Sequence, residues 1–384
     1  MPVEFLGIAA TNDGSELHPR TGAVLDKDYT VRLAHAHEDN GFDGVLFVYS
    51  TAMPETSQVA ALVAAHVSRL KLLVAYRPNA AHPTFAARMF AALDQISDGR
   101  VMVHFITGGS DLEQQREGDF LPKDERYART LEYIQVVKRA WTSRERFDHH
   151  GEHYTFTDFV SDVVPVQSPR PGVSFGGSSP AAYSVGGAEA DMYCLWGEPL
   201  VHTAEQIESI KRAAREAGRV DLPRFQTGFR TILGPTEEMA WDRAHRMADK
   251  LTTRTTGNVA AWTSLHTVGT PENTGSKRLL EQAEKSERYD RALWTSTTKL
   301  TGGVGNSTAL VGTPETIAAT LLDYYDLGIE VFSSRGYDTL DDAVSFGKHV
   351  IPIVREEVAK RDRDRAKAEA RQHEPKRESI VLDR

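Results

Sequence analysis

The chain has 384 residues, 40% of them hydrophobic and 26% charged, which is enough apolar material for a large buried core in one big domain or two ordinary ones. Its net charge of −9, with no Lys/Arg block outside the mixed-charge C-terminal end, disfavours sequence-independent attraction to nucleic acid or anionic membrane, while leaving room for a basic pocket and a small anionic substrate. Cys194 is the single cysteine, which excludes an intrachain disulfide and a cysteine-built zinc or iron–sulfur centre; the start MPVEFLGIAATNDGSE has too short an apolar run for a signal peptide or membrane span, so a cytoplasmic protein is expected.

Short apolar runs alternate with helical patterns, the signature of parallel βα units. Val3–Ala10 is the first expected strand, and a helix over 28–40 ends at Asn40-Gly41, a good C-cap pair. Gly44–Tyr49 is apolar enough for a strand buried on both faces. Val59, Leu62, Val63, His66 and Val67 recur at helical spacing, and Leu70–Tyr76 reads as the third strand. Pro83 opens a helix whose face carries Phe85, Met89, Phe90, Leu93 and Ile96, and Asp98-Gly99 turns the chain into a fourth strand over Val101–Thr107. Helix 124–142, strand 173–176, helix 179–188, strand 191–196, helix 203–217, strand 225–233, helix 236–249, strand 329–335 and helix 338–352 follow. Eight strands, each followed by helical material, predict a closed (β/α)8 TIM barrel rather than an open doubly wound sheet.

Two stretches break the alternation. Residues 145–170 hold Phe147–Phe156, an aromatic and His-rich hairpin, and 250–312 carry Gly, Thr and Asn with little periodicity, as expected of a lid or insertion. From Arg355 a highly charged helix continues to Gln372, and Pro375 ends it. The expected organisation is one barrel domain over 1–354 with those two insertions, then a charged C-terminal helix and tail over 355–384.

The active site of such a barrel lies at the C-terminal ends of its strands. The fourth strand ends His104-Phe105-Ile106-Thr107-Gly108-Gly109, where small residues permit close backbone approach and Thr107 offers a hydroxyl. The fifth ends Phe175-Gly176-Gly177-Ser178-Ser179-Pro180 before a helix; free N–H groups and Ser hydroxyls there suit a phosphate, or form an ordinary N-cap after a Gly-rich turn. The sixth places Trp196 at the mouth, as pocket wall or plug. The seventh brings Arg230, and the eighth brings Arg335 and Tyr337; a buried guanidinium needs an anion, either a structural carboxylate or a substrate. Gly302–Ser307 lacks the strand and helix that a dinucleotide fingerprint requires and reads as a mobile loop. His149, His150 and His153 have no carboxylate or cysteine set at ligand spacing, so no metal is expected, and neither a nucleophile elbow nor a P-loop occurs.

Taken together, Leu73–Asn79 with Pro83-Thr84, Leu93–Arg100 (LDQISDGR), Ile106–Gly109, Glu125-Arg126-Tyr127, Phe175–Ser179, Trp196–Pro199, Thr308–Gly312 (TALVG) and Gly336-Tyr337 occur in the order found in the FMNH2-dependent alkanesulfonate monooxygenases of the bacterial-luciferase-like superfamily. The chain resembles that family from about residue 3 to 352. The resemblance implies a luciferase-like barrel with FMN at its mouth, supplied reduced by a separate NAD(P)H:FMN reductase, with O2 as co-substrate, in a homodimer or homotetramer. It implies flavin contacts at Thr107, Tyr127 and Ser179, with Arg126 and Ser178 beside them and His104 where relatives usually have Asn. Arg230, Trp196 and Tyr337 match the family's catalytic positions. The family's cysteine after strand two is here Met53, its histidine two residues beyond the strand-seven arginine is Ile232, and the arginine opening its glycine-rich lid is Thr301; Arg335, Arg291, Lys299 and Arg77 are the cations available in exchange. The implied reaction is C–S cleavage of an organosulfonate or sulfone, or oxidation of another small polar molecule. FMN or deazaflavin hydride transfer, and flavin binding without catalysis, occur on the same barrel and stay open at this point.

Overall fold

Burial alternates along the strands: on the fourth, Val101, Val103 and Phe105 are buried, while Met102 and His104 between them are only partly so. One face of each strand therefore packs on helices and the other lines an interior, as a closed sheet requires. The structure, a computed structural model, describes residues 3–256 and 271–373. Its barrel strands are β1 (Glu4–Ile8), β2 (Gly44–Phe47), β3 (Lys71–Tyr76), β4 (Val101–Phe105), β5 (Gly172–Gly176), β6 (Met192–Trp196), β7 (Arg224–Leu233) and β8 (Ile329–Arg335). Each pairs in parallel with the next, and β8 returns to β1 with Val331 beside Glu4, closing an eight-stranded (β/α)8 TIM barrel with helices between its strands.

The main core lies between strands and helices, where Phe5, Tyr133, Trp141, Phe175, Tyr193, Phe332 and Phe346 are sealed from solvent. A smaller cluster of Leu6, Leu73, Met192 and Val331 fills the barrel interior. Two residues further along the same strands the interior turns polar, with Cys194 and Ser333. After β8 the chain forms helices Thr339–His349 and Ile351–His373, the second packing Ile351, Val354 and Val358 against the body. Among the described residues no helix is long and apolar enough to cross a membrane.

The hairpin forms as Phe147–His150 against Thr155–Phe159, three residues longer at its end than its aromatic signal. Residues 250–312 are more regular than their sequence suggests, although 257–270 lie outside the described residues. They include helix Thr274–Lys285, a short ladder of Arg288–Tyr289 with Leu293–Trp294, helix Ser296–Leu300, and strand Ala309–Gly312 in parallel with the end of β7. The first helix escaped a reading by hydrophobic period because Gly275, Ser276 and Gln282 share its buried face with Leu279 and Ala283.

Candidate active site

The β4–β5 side of the mouth is built from hydrogen-bonding groups around a helix start. Ser179 caps helix Pro180–Glu189, its Oγ accepting the Ala182 N–H at 3.2 Å, and donates to the Tyr127 hydroxyl at 3.5 Å. The N-cap alternative is thus realised at Ser179. Ser178 makes no side-chain hydrogen bond to any described residue. Gly177 sits at φ 144°, and a Cβ there would approach Ala182 Cβ to 2.6 Å and the Tyr127 hydroxyl to 3.5 Å, so the turn admits glycine alone. Burial raises the Tyr127 phenol above its usual value and keeps it a protonated donor. Thr107 is buried and donates to Thr130 at 3.3 Å. Arg126 is also buried, held by the Leu121 carbonyl at 2.7 Å and by Asp111 at 2.8 Å, with its Nε unpartnered among the described residues. His104 lines the interior, its Nδ1 at 2.9 Å from Ser174 Oγ, and burial lowers the imidazole to about 4, so the ring is neutral at physiological pH.

The β7–β8 side is charged and largely paired within the protein, with the Arg335 Nε left without a partner among the described residues. Glu16, on the loop after β1, is buried between two guanidinium groups: Arg230 Nη2 donates to it, and Arg335 donates through both Nη atoms at 3.2 Å. Burial pushes the Glu16 carboxyl up, but the charges of Arg230 and Arg335 outweigh it and bring the group down to about 2. Arg230 further donates from Nε to the Asn306 carbonyl at 3.0 Å, and its guanidinium lies 5.1 Å from the centre of the Tyr337 ring. Tyr337 is fully buried; burial lifts its phenol to about 12, against the pull of Arg230. Two cations against one carboxylate leave the cluster one net positive charge.

The insertion covers this side. Trp196, partly buried at the end of β6, is flanked by Gly275 and Gly305, where an added Cβ would come within 2.5 and 2.6 Å of the indole. Glu198, sealed two residues later, anchors the insertion helix through Arg278 at 2.6 and 2.9 Å and Gln282 at 2.6 Å. Trp196 is therefore a packed wall between the barrel and the 302–307 loop.

Other sequence-selected residues lie elsewhere. Arg291 does not join the mouth: it is half-exposed and pairs with Asp323 of the outer helix Pro314–Asp326 at 3.1 Å. Lys299 is exposed on helix Ser296–Leu300. Arg77 is buried and consumed by Glu113 and by Glu117 at 3.1 Å. Met53 sits partly exposed on the loop after β2. Ile232 packs with Leu17, Trp294 and Tyr337 in an apolar cluster, and Thr301 donates to the Thr297 carbonyl at 2.9 Å. Of the hairpin histidines, His149 pairs with Glu132 at 2.9 Å; among the described residues no three His, Cys, Asp or Glu side chains are grouped to hold a metal. A cleft of about 460 Å3 lies among Asn79, His82, Asp119 and Tyr154 and meets the mouth clusters only at Leu121. Glu16, Asn306 and Glu198 went unread in the sequence. For Glu16 the signal was present, since a buried Arg at a strand end demands an acid from a loop at the same end of the barrel.

Residues 4–330 match the family described as luciferase-like monooxygenase. Among solved structures, a riboflavin lyase (RcaE) crystallised with modified FMN and the substrate riboflavin superposes with TM-score 0.79 at 20% identity, covering 93% of this chain and 92% of that one. EDTA monooxygenase (EmoA) from Chelativorans sp. BNC1 gives TM-score 0.74 at 15% identity over 93% and 94% of the two chains. A long-chain alkane monooxygenase (LadA) gives 0.73 at 17% identity over 94% and 92%. At these identities the likeness speaks to the fold.

Proposed function

The chain belongs to the luciferase-like monooxygenase family, and from that premise we propose that it is the oxygenating component of a two-component system, receiving reduced FMN from a separate NAD(P)H:FMN reductase and using O2 on a small polar organic substrate, most specifically an organosulfonate or sulfone. The observation that carries the reading is the unspent hydrogen-bonding capacity on the β4–β5 side. Ser178 has no side-chain partner among the described residues there, the Tyr127 hydroxyl accepts from Ser179 and keeps its own hydrogen to donate, and a glycine turn leads into a helix start. Those groups would hold the flavin phosphate, with Thr107 and Arg126 as further donors on the same side and His104 available to the ring system. Reduced FMN, when bound, supplies the electrons that activate O2. The protein's own share is to orient, to exclude water and to offset charge. The net positive charge around Glu16 attracts an anionic substrate, Tyr337 is a buried donor beside it, and Trp196 with the insertion closes that wall. As in the family the chain resembles, the working form is a homodimer or homotetramer.

Photoreduced FMN, isotopically labelled O2 and a panel of sulfonates, sulfones and amines test the proposal. Label in the product of one substrate class is expected. Hydride transfer from a reduced deazaflavin without O2, or binding of flavin with no product from any substrate, would replace it with one of the other two readings.

A further inference from the structure

Inside the barrel, one polar side chain from each of five consecutive strands joins a hydrogen-bonded arc. His104 Nδ1 on β4 lies 2.9 Å from Ser174 Oγ on β5, which lies 3.0 Å from Cys194 Sγ on β6. Cys194 Sγ lies 2.6 Å from Gln226 Oε1 on β7, and Gln226 Nε2 donates to Ser333 Oγ on β8 at 2.9 Å. Strand register makes this arc, since His104 is paired with Ser174 and Cys194 with Gln226. Ser174, Gln226 and Ser333 are buried, while His104 and Cys194 are partly open to the interior, and His104 Nε2 bonds to no described residue.

We infer that this arc is a positioning device which fixes the tautomer of His104, so that its Nε2, which bonds to no described residue, is left as a hydrogen-bond acceptor inside the barrel. A serine and a thiol each own one hydrogen, so polarity passes along the arc without branching. The Gln226 amide uses its N–H toward Ser333 and turns its oxygen to Cys194, which must then donate its S–H. With that hydrogen spent, Cys194 can only accept from Ser174, and Ser174 in turn only from His104 Nδ1–H. The lone pair is left on Nε2. Each bond polarises the next, and the buried members have no water to substitute for a lost partner. Resting on the reading of the mouth as a flavin site, this makes His104 the acceptor for an N–H or O–H of the bound flavin or substrate, where the family's asparagine would present either a donor or an acceptor.

The test uses the full-length protein without flavin, labelled with 15N-histidine, with the His104 signals assigned by their loss in His104→Asn. Protonated-type nitrogen at Nδ1 and unprotonated-type at Nε2 are expected. Cys194→Ala should break the arc and yield mixed tautomers, Cys194→Ser should restore the parent spectrum because it returns one hydrogen, and Ser174→Ala should repeat the break if Cys194→Ala folds poorly. Turnover with reduced FMN should fall about tenfold in Cys194→Ala and recover in Cys194→Ser, the scale of one hydrogen bond. An Nε2–H ring in the parent, or a Cys194→Ala spectrum identical to it, overturns the inference. Because the spectra need no flavin, such a result leaves the flavin reading standing, and a failure to bind reduced FMN leaves the tautomer result standing.

Discussion

The two sides of the barrel mouth are built on opposite principles. On the β7–β8 side the charged groups are paired mainly within the protein: Glu16 is shared by Arg230 and Arg335, Arg230 also holds the Asn306 carbonyl, the Arg335 Nε alone of these guanidinium donors has no partner among the described residues, and the insertion lies over Trp196. On the β4–β5 side weaker groups are left over among the described residues, with Ser178 unpartnered and His104 bonded at one nitrogen. A charge seen in sequence is a demand for a partner as much as an offer to a ligand, whereas an uncharged hydroxyl at a helix start can stay unpaired beside solvent at little cost.

The comparison breaks most visibly if Glu16 is removed. Glu16→Ala leaves Arg230 and Arg335 buried together without their carboxylate and should cost about 3–5 kcal/mol, read by denaturant titration. A loss below about 1 kcal/mol would mean that the cluster is not structural, since that is the range of an exposed pair. The same ion pairs set an acid limit. Glu16 titrates near 2 in the folded protein against an ordinary value of 4.5, so their contribution is complete above about 4.5 and disappears as pH falls from there toward 2.

Histidine sharpens the contrast at milder pH. His37, packed on Phe42, and His104 are both lowered by burial to about 4 from 6.5, so the folded state resists their protonation. Their contribution is present above about 6.5 and is lost as pH falls toward 4, before the Glu16 cluster yields. Melting temperature should therefore decline from pH 6.5 downward, and His104→Asn should flatten part of that decline. An unchanged pH profile in His104→Asn would place the acid sensitivity at His37 alone. The smallest effect is expected at Ser179, where Ser179→Ala removes a helix cap and should cost about 1 kcal/mol of stability; no loss in thermal or denaturant unfolding would free that hydroxyl for a ligand.

The barrel was readable because each strand and helix is a local pattern, such as Leu70–Tyr76 followed by Pro83, although of the face expected on the helix that Pro83 opens only Phe90 and Leu93 are buried, Phe85 and Ile96 are exposed, and Ala86, Ala87 and Ala91 complete the buried face. Ser178 and Ser179 were readable for the same reason, being one turn and one helix start, whereas the roles of Arg126, Tyr127 and His104 came only from the family resemblance. Partnership was not readable. Glu16 and Arg230 are 214 positions apart and meet only when β1 and β7 close into the barrel. Arg291 and Arg335 look alike as sequence, yet one faces Asp323 on the outer surface and the other Glu16 at the mouth. The arc from His104 to Ser333 uses Ser, Cys and Gln at positions whose common layer exists only through strand register.

The most direct measurement pairs two substitutions with two readouts, namely anaerobic titration with reduced FMN and melting temperature, in Ser178→Ala and Arg230→Lys. The account predicts that Ser178→Ala loses at least about tenfold in flavin affinity, the scale of one hydrogen bond to a charged phosphate, with its melting temperature unchanged. Arg230→Lys, which cannot hold Glu16 and the Asn306 carbonyl at once, should lose melting temperature while the folded protein binds reduced FMN as before. The reverse pattern, with flavin affinity falling in Arg230→Lys and untouched in Ser178→Ala, would contradict it.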